Sequence, residues 1–367
     1  MTPADSLLNA DWEATVEKLG GAESLAADAR QTGAFRRRRG IRDPIVLLRL
    51  LLAYCLGEHG LRLTAAWAAA TGLADISNVG LLYRLRQSER WLAKLVGDLL
   101  TARATPPAAR GRLIRLIDAT TVPKAGSRER RANGVWRIHA AFDLPSERFG
   151  ALELTDETGG ERLDRVAVVK GEIRIADAAH LQPERIAAVL EAGGDVLIRA
   201  AWRNGRWLDA GGARLDFIGA FSRAREGRID QPVWLHRRDG APLRLRLVAM
   251  RLAPEAAAAG RRRARRAAQK SGYTLSDAAL TAAEWIVLLT SLPVETFPAD
   301  DILALYRLRW RVELAFKRLK SVIGLHGPPG KDERSARAFI LAHLLMILLL
   351  EPLVAAFEDS PHWAEAA

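Results

Sequence analysis

The first hundred residues repeat their apolar positions with a helical period. Asp43 precedes one apolar run and suits a helix cap, Gly72 closes the next run, and Ser77 offers a cap for one long helix after it. The three runs are DPIVLLRLLLAYCLG, LTAAWAAATGL and VGLLYRLRQSERWLAKLVGDLL. Helix, glycine-containing turn and helix outline a helix-turn-helix, an outline that small helical bundles share. The pattern predicts an all-helical N-terminal domain over residues 1–105.

Shorter apolar runs follow the prolines at 106 and 107. RLIRLID predicts a strand that ends at Asp118, and GVWRIHAAFD with FGALELTDE predicts a hairpin. A short helical segment then leads to GEIRIADAAH, a strand that ends at Asp177, and to the helix PERIAAVLEA and the strand DVLIRA. A hairpin followed by alternating strand and helix predicts a mixed α/β sheet, which we expect over residues 106–203.

A segment of turns and short strands interrupts this α/β pattern over residues 204–283. Its predicted elements are the strands GRWLDA, RLDFIGAF, QPVWLH and PLRLRLVAMR and a helix that carries RRRARRAAQK. We interpret the segment as a β-rich insertion. The strand WIVLLTSLPV then resumes the α/β domain, which we expect over residues 284–337.

The chain ends in a predicted helix over residues 338–367. Its first part, AFILAHLLMILLL, is apolar but shorter than the ~20 residues that a membrane-spanning helix needs. A buried helix is therefore favoured, and a membrane anchor is the alternative.

Charge and cysteine content narrow the function. The chain has 367 residues and a formal net charge of +12, from 55 basic and 43 acidic residues, which indicates a polyanionic partner such as nucleic acid or an anionic membrane. Arg36 to Arg39 form a basic run, Arg84, Arg86 and Arg90 are predicted to face outward, and Arg261 to Arg266 form either a solvated helix face or a DNA track. The single cysteine excludes an internal disulfide and a cysteine-based zinc site. The chain start lacks the layout of a signal peptide, so we expect a reduced, cytoplasmic and nucleoid-associated location.

The segment YRLRWRVELAFKRLK carries the most specific pattern. We predict a helix that starts at Asp300 and continues unbroken to Gly324. At about 100° per residue, one stripe of this helix holds a single carboxylate among cations, beside an apolar face; its members are Tyr306, Arg309, Glu313, Lys317 and Lys320. By periodicity alone this stripe is a solvated surface with a Glu313–Lys317 pair.

The spacing of the stripe adds a second interpretation. Tyr306, Arg309, Glu313 and Lys320 reproduce the Y-x2-R-x3-E-x6-K signature, and the chain thereby resembles the insertion sequence 4 group of DDE transposases. The resemblance implies a ribonuclease-H-like catalytic domain with a β insertion, and an N-terminal domain that holds transposon ends. It makes Glu313 the third metal-binding carboxylate, after Asp118 and Asp177. The cations Arg309, Lys317 and Lys320, together with Tyr306, would bind DNA phosphates.

Three carboxylates from two strand ends and a helix suit two Mg²⁺ ions, and Mn²⁺ suits the same all-oxygen ligands. Each aspartate alone is better explained as a cap for the next helix or as a loop hydrogen-bonder. Trp285, 21 residues before Tyr306, matches the position at which better-understood relatives stack a tryptophan on a flipped base. Core packing is the alternative for this residue.

The sequence therefore predicts a DDE transposase. It would cleave DNA strands at transposon ends with divalent metal ions and join them to target DNA, with a hairpin intermediate as a plausible route. We expect double-stranded DNA as the partner and a homodimer when two ends are synapsed. A non-catalytic DNA-binding protein derived from a transposase is the alternative from another functional class, and a membrane-associated protein is the third.

Overall fold

A computed structural model describes residues 3–57, 59–101, 112–125, 134–146, 148–200, 202–203, 205–321, 325 and 327–358. Helices make up the first hundred residues, as the apolar period predicts: α1 (Pro3–Lys18), α2 (Gly21–Gln31), α3 (Pro44–Leu56), α4 (Leu61–Ala70), α5 (Asn78–Gln87) and α6 (Glu89–Thr101). The predicted caps are present, since Asp43 accepts from the Val46 amide at 2.9 Å and Ser77 from the Gly80 amide at 3.1 Å.

Two predictions for this helical part are wrong. The long helix after Ser77 breaks at Ser88 into α5 and α6, and the Ser88 hydroxyl donates to the Arg84 carbonyl at 2.8 Å. Arg84 does not face outward: it is 7% exposed, donates to the Arg37 carbonyl and lies over the Phe35 ring. The basic run at 36–39 folds over this face of α5 and covers Arg84, a tertiary contact that helical periodicity does not encode.

The rest of the described chain is built on one mixed sheet. Its strands are β1 (Ile114–Pro123), β2 (Val135–Asp143), β3 (Arg148–Thr155), β4 (Ile173–Ala176), β5 (Asp195–Arg199), β6 (Trp207–Leu208), β7 (Arg228–Leu235), β8 (Leu243–Arg251) and β9 (Trp285–Thr290). Their order is β3-β2-β1-β4-β5-β9-β8-β7-β6. β4 pairs in parallel with β1 and β5, and the other neighbours are antiparallel. The mixed α/β architecture predicted for this region is confirmed.

Seven further helices connect and cover the strands in the described residues. They are α7 (Pro183–Glu191), α8 (Phe217–Arg223), α9 (Pro254–Ser271), α10 (Asp277–Ala282), α11 (Ala299–Arg307), α12 (Trp310–Ser321) and α13 (Glu333–Glu358). β7 and β8 lie in the same sheet as β9 and extend it, so the strands of the predicted insertion continue the central sheet. The division into five domains stays a prediction.

Three element predictions in this region are wrong. RLDFIGAF is the helix α8, which Asp216 caps by accepting from the Gly219 amide at 2.9 Å. The expected helical segment before Ile173 is a series of turns, in which Asp156 accepts from the amide and hydroxyl of Thr158. β1 does not end at Asp118 but runs on to Pro123, because those residues keep pairing with β2.

Apolar side chains cover both faces of the sheet. Leu116 belongs to a core that includes the N-terminal helices and α13, whereas its neighbour Ile117 belongs to the core on the other face. The apolar run predicted as a buried helix lies in α13 and packs on α3, α5 and α6. Within the described residues, no helix combines the length and hydropathy that a membrane crossing requires.

Candidate active site

Asp118 lies in the middle of strand β1, which pairs with β2 on one side and with β4 on the other. Its Oδ1 accepts from the Ala119 amide at 2.8 Å, and its Oδ2 lies 3.4 Å from Nη1 of Arg309. Burial raises the pKa of Asp118, although the Ala119 amide and Arg309 act in the opposite direction and the charge of Asp177 adds to the rise. The parallel register of β1 and β4 pairs Ile117 with Ala176, which brings the two following aspartates to adjacent places.

Asp177 directly follows β4, as predicted, and its carboxylate is held by two donors. Oδ1 accepts from the Ala179 amide at 2.9 Å and from Nδ1 of the buried His180 at 3.0 Å. The hydrogen bond from His180 lowers the pKa of Asp177, and burial opposes it. Glu161 completes a cluster in which one ligand atom each from Glu161, Asp177 and His180 lies within 4.8 Å of the others.

Arg309 lies at a helix break that the sequence did not predict, and Glu313 follows in the next helix. The single helix expected from Asp300 to Gly324 is two helices, α11 and α12, separated at Leu308 and Arg309. The backbone tightens there: the Arg309 amide donates to the Tyr306 carbonyl at 3.1 Å and the Val312 amide to the Arg309 carbonyl at 3.3 Å, both three residues back.

Arg309 joins two of the three predicted metal-binding acids. Its Nη2 donates to Oε1 of Glu313 while its Nη1 approaches Asp118. Burial acts to lower the pKa of Arg309, but the charges of Tyr306, Glu313 and Asp118 outweigh it and raise the pKa. The guanidinium therefore stays charged between the two carboxylates.

The eight predicted site residues line two cavities. The first, about 530 Å³, contains Asp118, Glu313, Lys317 and Lys320 together with Thr120. The second, about 430 Å³, contains Asp177, Trp285, Tyr306 and Arg309. Arg309 connects them, because it lines the second cavity and contacts both acids of the first.

Trp285 is placed at the second cavity but is largely covered. It is 7% exposed, and its ring stacks on Phe221 with centroids 4.7 Å apart and planes 12° apart. A base-stacking role for Trp285 stays a prediction. Trp310, the other tryptophan near the signature, is 51% exposed and lines neither cavity.

Several residues at the two cavities were not among the eight predicted site residues. Arg199, Trp202 and Arg263 line the second cavity, and His180 positions the Asp177 carboxylate. Arg199 is the last residue of β5, which pairs with β4, the strand that leads to Asp177. The predicted alternation of strands and helices could therefore have placed Arg199 near Asp177. Trp202 and Arg263 come from a turn and from α9, and no local pattern connects them with the acids.

The donor set fits a hard divalent cation. Asp118, Asp177 and Glu313 offer carboxylate oxygens, and the Thr120 hydroxyl lies in the same cavity as two of them. Oxygen ligands are those that Mg²⁺ and Mn²⁺ prefer. His180 donates through Nδ1 to Asp177, an arrangement that orients a carboxylate ligand.

Comparison with known proteins identifies the family. A family model described as "Transposase DDE domain" matches residues 109–349, a range that includes Asp118, Asp177 and Glu313. The putative transposase InsL for insertion sequence element IS186A of Escherichia coli (strain K12) is 37% identical over 360 residues, which cover 96% of each chain. The transposase for insertion sequence element IS421 of Escherichia coli is 37% identical over 361 residues, again 96% of each chain. The chain therefore belongs to the DDE transposase family.

Proposed function

We propose that this DDE transposase cleaves DNA strands at the ends of its own insertion element and joins the freed ends to target DNA. Asp118, Asp177 and Glu313 would hold two Mg²⁺ ions, for which Mn²⁺ can substitute. The spacing from Tyr306 to Lys320 supports a place in the insertion sequence 4 branch that carries the YREK signature.

One observation carries this proposal. Arg309 contacts Asp118 from β1 and Glu313 from α12, and its other side lines the cavity that holds Asp177. Three acids far apart in sequence are thus gathered around one cation. Acids that happen to lie close together on a surface do not explain this grouping, because Asp118 is largely buried on a strand with neighbours on both sides.

The surrounding side chains suit a phosphodiester substrate. Arg309 presents several N–H donors in a planar fork, which can bond a phosphate oxygen and a carboxylate at the same time. Lys317 and Lys320 add cations on the Glu313 side of the site. Bound divalent ions would activate the attacking oxygen and stabilise the leaving oxygen of the phosphodiester.

The second cavity suits a displaced nucleotide. Arg199 and Arg309 supply cations for a phosphate, and Trp202, Trp285 and Tyr306 supply aromatic walls. Stacking of a base on such a wall is worth roughly 1–3 kcal/mol. A displaced base at the DNA end is compatible with the hairpin route.

The N-terminal helices would hold the DNA end. A cavity of about 600 Å³ at the start of α5 is lined by Arg36, Arg37 and Arg39, and Tyr83 of α5 is exposed beside it. Arginines around an exposed helix are the electrostatic footprint of DNA binding. Because two transposon ends must be brought together, we propose that the protein acts as a homodimer on DNA.

The test is cleavage of a labelled duplex that carries the element's own end, with Mg²⁺ or Mn²⁺. We would compare the unaltered chain with Glu313→Gln and Asp177→Asn, and measure binding of each to the same duplex. We expect metal-dependent nicking at the end that both variants lose by at least about 100-fold while binding persists.

Glu295→Gln is the matched control, because Glu295 is exposed and its loss removes the same charge. It should cleave like the unaltered chain. Binding without cleavage by the unaltered chain would favour the non-catalytic DNA-binding alternative. Equal cleavage by all variants would place the chemistry elsewhere.

A further inference from the structure

Helix α9 carries an exposed face made almost entirely of cations. This basic face consists of Arg262, Arg263, Arg265, Arg266 and Lys270. Arg262, Arg266 and Lys270 follow one another at four-residue spacing, so like charges lie side by side along the helix. Such pairs destabilise a helix slightly, and a bound anion would offset that cost.

The described part of the protein does not provide that anion. No carboxylate among the described residues forms an ion pair with the basic face. The first arginine of the run is different: Arg261 pairs with Glu284, which also pairs with Arg251 at 2.8 Å. Arg261 thus anchors the helix, whereas the basic face forms no ion pair with the described residues.

The helix is held closely against the start of β9. A Cβ added at Gly260 would overlap the carbonyl oxygen of Ala283, so only glycine allows this approach. Ala283 and Glu284 immediately precede Trp285, which lines the second active-site cavity. Gly260 and Arg261 therefore fix α9 to the segment that forms the wall of that cavity.

The basic face continues the active site. Arg263 lines the same cavity of about 430 Å³ as Asp177 and Arg309. From Arg262 to Lys270 the face extends about 12 Å along the helix axis. That length corresponds to roughly three or four nucleotide steps of one DNA strand.

We propose that the basic face of α9 is a binding track for the phosphate backbone of the duplex that carries the cleaved phosphodiester. This inference rests on the proposed function, because it takes the cavity at Asp177 as the place of cleavage. DNA that leaves this cavity past Arg263 would then run along the other four cations of the basic face. The track binds phosphates without reading bases, so it adds affinity and orientation and no sequence preference.

The salt dependence of DNA binding tests the track directly. We would measure the binding constant of the full chain for a duplex that carries the element end and its flank, at several salt concentrations. The variant Arg262→Gln/Arg265→Gln/Arg266→Gln removes three phosphate contacts. Its slope of log K against log salt should be shallower by about 2.7 than that of the unaltered chain.

A matched variant removes three exposed arginines at the hairpin end of β7 and β8, opposite to the end of β8 that leads into α9: Arg206→Gln/Arg238→Gln/Arg244→Gln. Its slope should stay unchanged. An unchanged slope for the α9 variant, or equal reductions for both variants, would overturn the track. The α9 variant could instead show a reduced slope only on an unrelated duplex without the element end, and an unchanged slope on the element end itself. That result would assign the face to target DNA and would also overturn the track.

Folding and cleavage are monitored on the same samples. The midpoint temperature of thermal unfolding of the α9 variant should be no lower than that of the unaltered chain, because like charges have been removed. If the triple variant does not fold, Arg266→Gln alone should reduce the slope by about 0.9. Metal-dependent cleavage by the unaltered chain together with an unchanged slope would refute the track and leave the proposed function standing.

Discussion

Arg309 lies with its guanidinium 3.4 Å from the carboxylate of Asp118, a residue 191 positions earlier in the chain. The same side chain donates to Glu313, one helical turn ahead. Strand β1 and helix α12, which are far apart in sequence, are therefore linked through one cation. The tightened turn at Leu308 and Arg309 accompanies this link, since the Arg309 side chain extends from it toward both acids.

Arg309 should control the pKa of Asp118. Its charge lowers that pKa against the effect of burial, so Arg309→Gln is expected to raise the pKa of Asp118 further. Carboxyl carbon chemical shifts of labelled aspartate, followed by NMR against pH in EDTA, would show the shift. Arg307→Gln, which removes an exposed arginine on α11, should leave it unchanged.

The same substitution changes how stability depends on pH. Because burial raises the folded-state pKa of Asp118 above its unfolded value, this residue favours folding below the unfolded pKa, and that contribution is lost as pH rises through the folded pKa. With Arg309→Gln the folded pKa rises further. Its free energy of unfolding in urea should therefore fall, relative to that of the unaltered chain, between about pH 4 and 7. If the difference in unfolding free energy between the variant and the unaltered chain stays constant across this pH range, the coupling between Arg309 and Asp118 is contradicted.

His180 should stabilise the charged form of Asp177. His180→Ala removes a hydrogen bond to a carboxylate, a loss of about 1 kcal/mol once the solvent around a side chain that is 40% exposed is considered. The hydrogen bond from His180 lowers the pKa of Asp177, so its contribution is present above the unfolded pKa and lost as pH falls through the folded pKa. The loss of unfolding free energy should thus be larger at neutral pH than in acid.

Urea unfolding in EDTA at several pH values measures this effect. His59→Ala, at an exposed histidine, is the control and should cost little at any pH. The double variant His180→Ala/Asp177→Asn separates the pair from other effects of losing a buried ring. If the two substitutions prove additive, the histidine does not act through the carboxylate.

Most of the fold follows from local patterns. The N-terminal helices have apolar stripes and side-chain caps at Asp43 and Ser77, and the hairpin β2–β3 shows long β-rich runs around a turn. RLDFIGAF failed because its alternation resembles a strand, whereas the Asp216 cap and the packing of Phe217 and Phe221 select a helix. There the Asp216 cap and the burial of Phe217 and Phe221, four residues apart, outweigh the strand-like appearance of the segment.

The site residues likewise divide into those that the sequence reveals and those that only the folded structure reveals. Tyr306, Arg309, Glu313 and Lys320 lie within fifteen residues, so their spacing is visible in the sequence. The break within that segment was not visible, because the apolar period continues through Leu308 and the Asp118 that Arg309 contacts is distant in sequence. Trp202 and Arg263 were missed for the same reason, since only the folded sheet and α9 bring them to Asp177.

Gly260 should be required for the position of α9. In Gly260→Ala the new methyl group overlaps the Ala283 carbonyl, which belongs to the backbone and cannot turn away as a side chain can. The gain in helix propensity, up to about 1 kcal/mol, is expected to be smaller than the overlap cost of about 1–3 kcal/mol. Chemical denaturation should show a net loss of stability.

Gly97→Ala is the matched control for that experiment. Gly97 also lies inside a helix, α6, but no heavy atom comes within 4 Å of a Cβ built there. This variant should gain up to about 1 kcal/mol. Equal gains in stability at both positions would mean that α9 can move away from the start of β9 at no cost. The inference that α9 is fixed at the cavity would then be wrong.

Trp202 and Trp285 line the same cavity but should respond differently to substitution. Trp285 is almost fully buried against Phe221, so Trp285→Ala is expected to cost about 3–5 kcal/mol of folding stability. Trp202 is half-buried in a turn, and Trp202→Ala should change stability far less.

Binding to a duplex with an unpaired base at the element end then separates packing from stacking. If a displaced base stacks on Trp202, Trp202→Ala should weaken that binding by about 1–3 kcal/mol, and an abasic site in the duplex should abolish the difference between the variant and the unaltered chain. Trp202→Phe should retain most of the affinity, because a smaller aromatic face remains. The opposite pattern, in which Trp285→Phe weakens binding and Trp202→Ala does not, would assign the base to the exposed edge of Trp285. It would also require Phe221 to give up part of its stacking when DNA binds.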